Sequence, residues 1–179
     1  LLTYSDYDHP LKQEDIAEIL ERDYGIVLER KAIGKNISLL KEAGVDIITV
    51  TDSPLARARA DSIMVAAKIK REVGIEVLPH LSCRDKNQIS LKGSMIGASF
   101  ENINNVLAVT GDPVMQDIFS GKAGVFAFNS FGLISFINDL NSQIFRATPF
   151  AVGAALNVNV TNFDKELARA VKKVEKGAK

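Results

Sequence analysis

The sequence predicts an α/β fold in which parallel strands alternate with helices. From Val45 onward, short β-branched runs alternate with longer segments of helical period, which is typical of parallel βα units. An all-parallel sheet is stable when helices cover it, so the pattern indicates an open doubly wound sheet or an arc of a (β/α)8 barrel. The chain has 179 residues, 46% of them hydrophobic, which is enough to bury a substantial core.

Four strands and four helices are expected in alternation. The strands are predicted over residues 45–51, 75–80, 105–110 and 150–156. The helices are predicted over residues 55–74, 88–101, 130–141 and 163–176. The first helix would end naturally at Gly74, and its buried face would contain Ala58, Ile63, Ala66 and Ile69.

Residues 1–44 follow a different pattern, which predicts a small helical segment before the sheet. Two helical periods, Lys12–Asp23 and Glu29–Ala43, flank a short linker through Gly25. Two short amphipathic helices in this arrangement are the minimum of a helix-turn-helix. We therefore expect a helix-turn-helix-like segment at 1–44 and an α/β unit at 45–179.

Composition and charge argue against several classes of protein. Lys and Arg together number 22, as do Asp and Glu, so the net charge gives no argument for nucleic acid as a partner. Cys83 is the single cysteine, which excludes an intramolecular disulfide and fits a reducing compartment. No apolar run approaches the roughly 20 residues that span a bilayer, and no secretory signal pattern opens the chain. The sequence thus predicts a cytoplasmic protein without a membrane partner.

Polar residues cluster where the predicted parallel strands end. Thr51, His80, Gly111-Asp112 and Asn159 all fall at or just beyond these ends. Parallel sheets bind ligands at the carboxyl ends of their strands. Gly-Asp-Pro is also ordinary turn chemistry, so Asp112 could be a solvated turn residue. Its convergence with His80 at one edge of the sheet favours a functional site.

Five motifs along this edge carry a resemblance to a known family. In order, they are AGVDIITVTDSPLARARADS, VLPHLSCRDKN, NNVLAVTGDPV, GVFAFNS and AALNVNVTNFDKELARAVKKVEKGA. Together, over residues 43–179, they resemble the methylenetetrahydrofolate reductase family, especially the form fused to homocysteine methyltransferases. The resemblance implies a flavin-binding (β/α)8 barrel, of which this chain would be a part. In that family NADH or NADPH reduces FAD, and FAD reduces the folate substrate.

The resemblance also assigns roles to individual residues. Asp112 would be the catalytic carboxylate beside the isoalloxazine ring and the bound folate. A negative charge there disfavours the anionic reduced flavin and makes it a better hydride donor. The cofactor-binding residues that the resemblance implies are Thr51, His80, Asn159, Glu166, Lys172 and Lys173. The last three would lie on a helix that holds the FAD ribose and phosphates.

Simpler structural interpretations exist for several of these residues. His80 could be a hydrogen-bonded structural histidine, and the two lysines could belong to a solvated helix face. Cys83 is expected to be a small, semi-buried residue and not a nucleophile, because no His/Asn arrangement supports it. Arg84 and Asp85 could simply pair and shape their loop.

Two departures from the family pattern predict an incomplete catalytic unit. The first strand of the family, which carries a proton-donating glutamate, has no counterpart in residues 1–42. The sequence also stops at Lys179, before the strands that complete the barrel. Open sheet edges expose unpaired backbone, so we expect self-association.

The N-terminal stretch DHPLKQEDIAEILERDYGIVLERKAIGKNISLLKEAG resembles the helix-turn-helix that precedes the WYL domain in bacterial regulators. The DNA contacts that this implies are Arg30, Lys31, Lys35 and Asn36. Acidic residues precede them closely, so DNA binding is expected to be weak and salt-sensitive at most. The leading hypothesis is a flavin-dependent methylenetetrahydrofolate reductase-like oxidoreductase unit. The alternatives are a DNA-binding module fused to a structural α/β unit, and a chimera with no selected function.

Overall fold

The computed structural model describes residues 37–113 and 124–179. The chain divides between Ala43 and Gly44 into two units. Residues 37–42, in the first unit, are helical. These residues belong to the predicted helix Glu29–Ala43. The rest of the predicted helix-turn-helix lies outside the described residues, as do its implied DNA contacts Arg30, Lys31, Lys35 and Asn36.

The described residues of the second unit form a four-stranded parallel sheet. Its strands follow one another in chain order: β1 (Ile47–Val50), β2 (Glu76–Ser82), β3 (Asn105–Val109) and β4 (Ala151–Ala154). Connections between parallel strands are right-handed. When neighbouring strands follow one another in chain order, all the connecting helices therefore lie on the same face of the sheet. The order of a doubly wound sheet, by contrast, reverses at a switch point. The predicted α/β fold, consistent with part of a (β/α)8 barrel, is confirmed.

Within residues 44–113 and 124–179, four helices follow the four strands in turn. They are α1 (Ser62–Val73), α2 (Gln88–Phe100), α3 (Ser130–Gln143) and α4 (Phe163–Glu175). Each begins after an Asp or Asn whose side chain accepts a backbone N–H of the first turn: Asp61, Asn87, Asn129 and Asn162. A cap of this kind contributes about 1 kcal/mol and fixes the residue at which the helix begins.

The core lies between the sheet and the helices. Val77, Val106 and Val152 are buried on the face that the helices cover. The helices contribute further buried apolar residues, which include Ile63, Ala66, Leu91, Met95, Leu133, Ile134 and Ile137. Alternate residues point to the opposite face, where His80 and Leu107 are half-buried. The second face of the sheet therefore keeps accessible surface.

The end of β2 differs from the prediction in a way that bears on the site. The strand continues to Ser82, so His80 lies inside it, not at its end. Ladder pairing of His80 with Leu107 and of Ser82 with Val109 extends the strand. Because pairing between strands is a tertiary feature, the local pattern could not define this boundary.

The first helix begins later than predicted. Residues Pro54–Ala56 form a short 3-10 turn, and Leu55 and Ala56 have left-handed φ values of 55° and 60°. The side chain of Asp61 then accepts the N–H of Met64 and starts α1 at Ser62. The prediction that Ala58 belongs to the buried helix face is therefore wrong, since Ala58 is exposed and precedes the helix.

The outer edge of β4 is partly used by the end of the chain. The backbone N–H of Lys179 donates to the carbonyl oxygen of Val152 at 2.9 Å. Self-association through sheet edges stays a prediction. Within residues 37–113 and 124–179, no helix is long and apolar enough to cross a membrane.

Candidate functional site at the carboxyl edge of the sheet

Three loops meet at the carboxyl ends of β1, β2 and β3. We call this edge the rim and define it by residues 51–55, 82–87 and 110–113. Val50 pairs with Pro79, so the next residue along, Thr51, lies beside His80. The N–H of Cys83 donates to the carbonyl oxygen of Val109 at 3.1 Å, which carries the β2–β3 pairing up to the rim.

Asp112 is exposed on the rim and is tied to the loop after β1. Its Oδ2 accepts the backbone N–H of Leu55 at 2.7 Å. The bond joins residues 57 positions apart in sequence, so the carboxylate belongs to the tertiary structure as well as to its own turn. An exposed carboxylate oriented in this way is available to a ligand that lies over the rim.

Gly111 makes the Asp112 turn possible. Its φ is +97°, a conformation that residues with a side chain rarely adopt. A Cβ at this position would overlap Ser82 Oγ and lie 2.7 Å from Arg84 Cβ. Gly-Asp-Pro is thus a tight turn packed against the loop after β2, and that turn is what presents Asp112.

A nearly buried ion pair joins the ends of β1 and β2. Asp52 Oδ2 lies 2.5 Å from Lys86 Nζ, and the two side chains are 6% and 17% exposed. The same oxygen accepts the backbone N–H of Ser82 at 2.9 Å. The pairing of Asp52 with Lys86 was not predicted from the sequence. Opposite charges in TDSP and LSCRDKN, just after adjacent strands, were the available signal.

His80 is half-buried beside Thr51 on the accessible face of the sheet. Burial lowers the pKa of its imidazole, and the negative charge of Asp52 opposes that shift. Its backbone carbonyl accepts the hydroxyl of buried Ser62 at 2.7 Å, which fixes the strand against α1. The lowered pKa favours a neutral imidazole, which can both donate and accept a hydrogen bond.

Cys83 is fully buried, and burial raises the pKa of its thiol to about 11. The sequence predicted a small, semi-buried residue, and the structure buries Cys83 completely. The raised pKa leaves roughly one thiol in a thousand ionised at pH 8.

We expect native protein to resist a disulfide-exchange reagent at pH 8, because reaction requires the thiolate and access to it. Absorbance of the released thiol should rise to one equivalent only after guanidinium unfolds the chain. Rapid stoichiometric labelling of native protein would contradict the buried assignment.

Helix α4 carries a line of cations beside α3. Lys165, Arg169, Lys172 and Lys176 recur at spacings of four, three and four residues, which places them on one helix face. With Phe131 and Glu175 they line a cleft of about 740 Å³. The Arg169 guanidinium lies 5.3 Å from the centroid of the Phe131 ring. Several cationic donors along one cleft suit a phosphate-bearing ligand.

The three α4 residues named from the sequence differ in position. Lys172 is exposed and lines the cleft. Lys173 is buried, and its Nζ donates to the carbonyl oxygen of Ala155 at 2.5 Å. Glu166 Oε1 accepts the backbone N–H of Asn157 at 3.3 Å. Lys173 and Glu166 therefore hold α4 against the loop after β4, while Lys172 faces the cleft.

Three cationic residues of the cleft, Lys165, Arg169 and Lys176, were not predicted from the sequence. Their spacing from Lys172 on a predicted helix was the signal that could have found them. Asn159 is exposed in the loop after β4, where its N–H donates to Asn157 Oδ1 at 3.0 Å. The structure thus brings Thr51 beside His80, ties Asp112 to the loop after Thr51, and gives Asn159 a local partner.

The fold and the rim fit a class of α/β enzymes that bind ligands at the carboxyl ends of parallel strands. The family model for methylenetetrahydrofolate reductase matches residues 29–179, and the chain belongs to the methylenetetrahydrofolate reductase family. The match begins at residue 29, so it includes part of the segment 1–44 that the sequence pattern separated from the sheet.

The solved structures that are similar to the chain include the following two. A "putative phosphonomutase" from Burkholderia cenocepacia J2315 has a TM-score of 0.53 and 13% identity over 81% of this chain and 63% of that chain. A 2,3-dimethylmalate lyase, a PEP mutase/isocitrate lyase superfamily member, has a TM-score of 0.55 and 14% identity over 81% of this chain and 51% of that chain. At these identities the likeness shows the fold alone. A search of curated proteins gave no match.

Proposed function

We propose that this chain provides the flavin-binding part of a methylenetetrahydrofolate reductase-type oxidoreductase, with the rim facing the isoalloxazine ring of FAD. The observation that carries the proposal is the exposed Asp112 carboxylate, held at the end of β3 in a chain of this family. The chain spans 63% and 51% of the length of the two similar solved structures. The activity of a whole enzyme is therefore a proposal, and it is supported by membership of the family.

The residues present suit the two halves of FAD. Lys172 and Arg169 supply cationic donors for the diphosphate along the α4 cleft. Half-buried Leu78 and Leu107 supply an apolar surface for a flat ring on the open face of the sheet. Bound FAD would supply hydride transfer between NADH or NADPH and methylenetetrahydrofolate.

The residues of the rim would bind and orient the ring edge. Asp112 places a negative charge there, and the Leu55 N–H fixes the direction of its carboxylate. The neutral imidazole of His80 and the hydroxyl of Thr51 offer hydrogen bonds to ring nitrogen and oxygen atoms. Asn159 offers an amide at the same edge of the sheet, and Lys173 and Glu166 support α4 from behind.

FAD binding tests this assignment directly. We expect FAD fluorescence to change saturably on titration with the chain, and Lys172→Glu to weaken the affinity by about tenfold, since it replaces an attractive phosphate contact with a repulsive one. Lys92→Glu makes the same charge change on α2 and should leave the affinity unchanged. Equal FAD affinities of Lys172→Glu and Lys92→Glu, or no FAD binding by the unmodified chain, would overturn the proposal.

A further inference from the structure

Arg84 is a nearly buried cation at the centre of the rim, with a side chain only 7% exposed. A buried guanidinium destabilises a fold unless its donors are bonded. Its Nε donates to Asp85 Oδ2 at 2.9 Å, and a terminal N–H donates to the backbone carbonyl oxygen of Asp112. The guanidinium therefore bridges the loop after β2 to the Asp112 turn.

The stem of Arg84 contacts the same turn from the other side. Its Cβ would lie 2.7 Å from a Cβ added at Gly111, so the two backbones are closely packed. The backbone N–H of Arg84 donates to Ser82 Oγ at 3.1 Å, which holds the start of the loop. Arg84 thus contacts both Gly111 and Asp112.

Asp85 holds the guanidinium in place. Its own N–H donates to the carbonyl oxygen of Val125 at 2.7 Å, and its Oδ1 accepts the Val125 N–H at 3.0 Å. The Val125 hydrogen bond, followed by the one from Arg84, lowers the pKa of this carboxyl. The charge of Arg84 is therefore offset by Asp85, and the Asp112 carboxylate has the Leu55 N–H as its partner.

We propose that Arg84 is a positioning residue that sets where the Asp112 carboxylate stands on the rim. The inference rests on the proposed flavin role of Asp112. Arg84 holds the Asp112 backbone, and the Leu55 N–H holds its carboxylate, so loss of the first contact loosens the second. Because Asp85 neutralises Arg84, the effect acts through position and leaves the Asp112 charge in place.

The first measurement needs no flavin. The amide of Leu55 donates to Asp112, so its hydrogen exchange reports whether the carboxylate is held. Arg84→Met keeps the apolar stem and removes both donors, and we expect it to raise Leu55 exchange severalfold, toward the level of Asp112→Ala. Arg59→Met, an exposed control whose guanidinium bonds its neighbour Ala58, should change nothing.

Arg84→Lys covers the case in which Arg84→Met does not fold. An ammonium cannot reproduce the fork that bonds Asp85 and Asp112 together, so Leu55 exchange should again rise. Exchange at Val106 in the core serves to separate local loosening from global destabilisation. Unchanged Leu55 exchange in the folded variant would overturn the positioning role.

The closing experiment compares the effect of Asp112→Asn on the reduction potential of bound FAD in two backgrounds. We expect the shift in the Arg84→Met background to be less than half of that in the unmodified chain. Equal shifts in both backgrounds would overturn the positioning role of Arg84. Asp112→Asn could instead leave the potential of the otherwise unmodified chain unchanged while Arg84→Met raises Leu55 exchange. That result would support the positioning of Asp112 by Arg84 and overturn the flavin role of Asp112.

Discussion

Replacing Gly111 with alanine is expected to destabilise the chain by about 3 kcal/mol, because a left-handed backbone and a steric overlap act together. The φ of Gly111 is +97°, and an added Cβ would overlap Ser82 Oγ and the stem of Arg84. Neither neighbour can move freely, since Ser82 lies in β2 and Arg84 is nearly buried. Denaturant unfolding followed by circular dichroism measures the loss.

Gly97→Ala is the matched control for this change. Gly97 lies inside α2, and a Cβ added there would meet nothing within 4 Å. In a helix interior, alanine is more favourable than glycine by about 1 kcal/mol, so Gly97→Ala should stabilise the chain slightly. If Gly111→Ala left the free energy of unfolding unchanged, or raised it as Gly97→Ala should, the turn would not be closely packed.

Replacing Lys86 with methionine is expected to destabilise the chain by about 3 kcal/mol, since it leaves a buried carboxylate without its cation. Asp52 is only 6% exposed, and its Oδ2 lies 2.5 Å from the Lys86 ammonium. The remaining hydrogen bond from the Ser82 N–H cannot neutralise the charge. Urea unfolding at neutral pH measures the effect.

A double variant separates charge burial from lost packing. Asp52→Asn combined with Lys86→Met removes both charges, while the amide oxygen can still accept the Ser82 N–H. Most of the lost stability should therefore return. A single variant that unfolds like the unmodified chain, or a double variant less stable than the single one, would contradict the role of this pair.

The order of elements was predictable because its signals are local. Strand and helix periods differ, and the helix-capping side chains Asp61, Asn87, Asn129 and Asn162 stand directly before the helices that they cap. Gly74, with a φ of 66°, ends α1 for an equally local reason. These signals set the positions of the strand ends, and hence of Thr51 and Asp112.

The contacts that organise the rim were not predictable in the same way. Lys86 and Asp52 are 34 residues apart, and Arg84 and Asp112 are 28 residues apart. Such pairs form only in the observed strand register, which no single segment encodes. The inward direction of Lys173 likewise depends on how α4 packs against the loop after β4, where it bonds the carbonyl oxygen of Ala155.

The proposed flavin role of Asp112 is tested most directly by the reduction potential of FAD bound to the unmodified chain and to Asp112→Asn. A carboxylate beside the ring disfavours the negative charge that reduction adds, so its removal should raise the potential, by about 30 mV for each 1.4 kcal/mol of lost repulsion. Asp139→Asn, an exposed carboxylate change on α3, should leave the potential unchanged. We expect a raised potential in Asp112→Asn alone. Equal potentials in well-folded, FAD-loaded proteins would show that Asp112 does not act on the flavin.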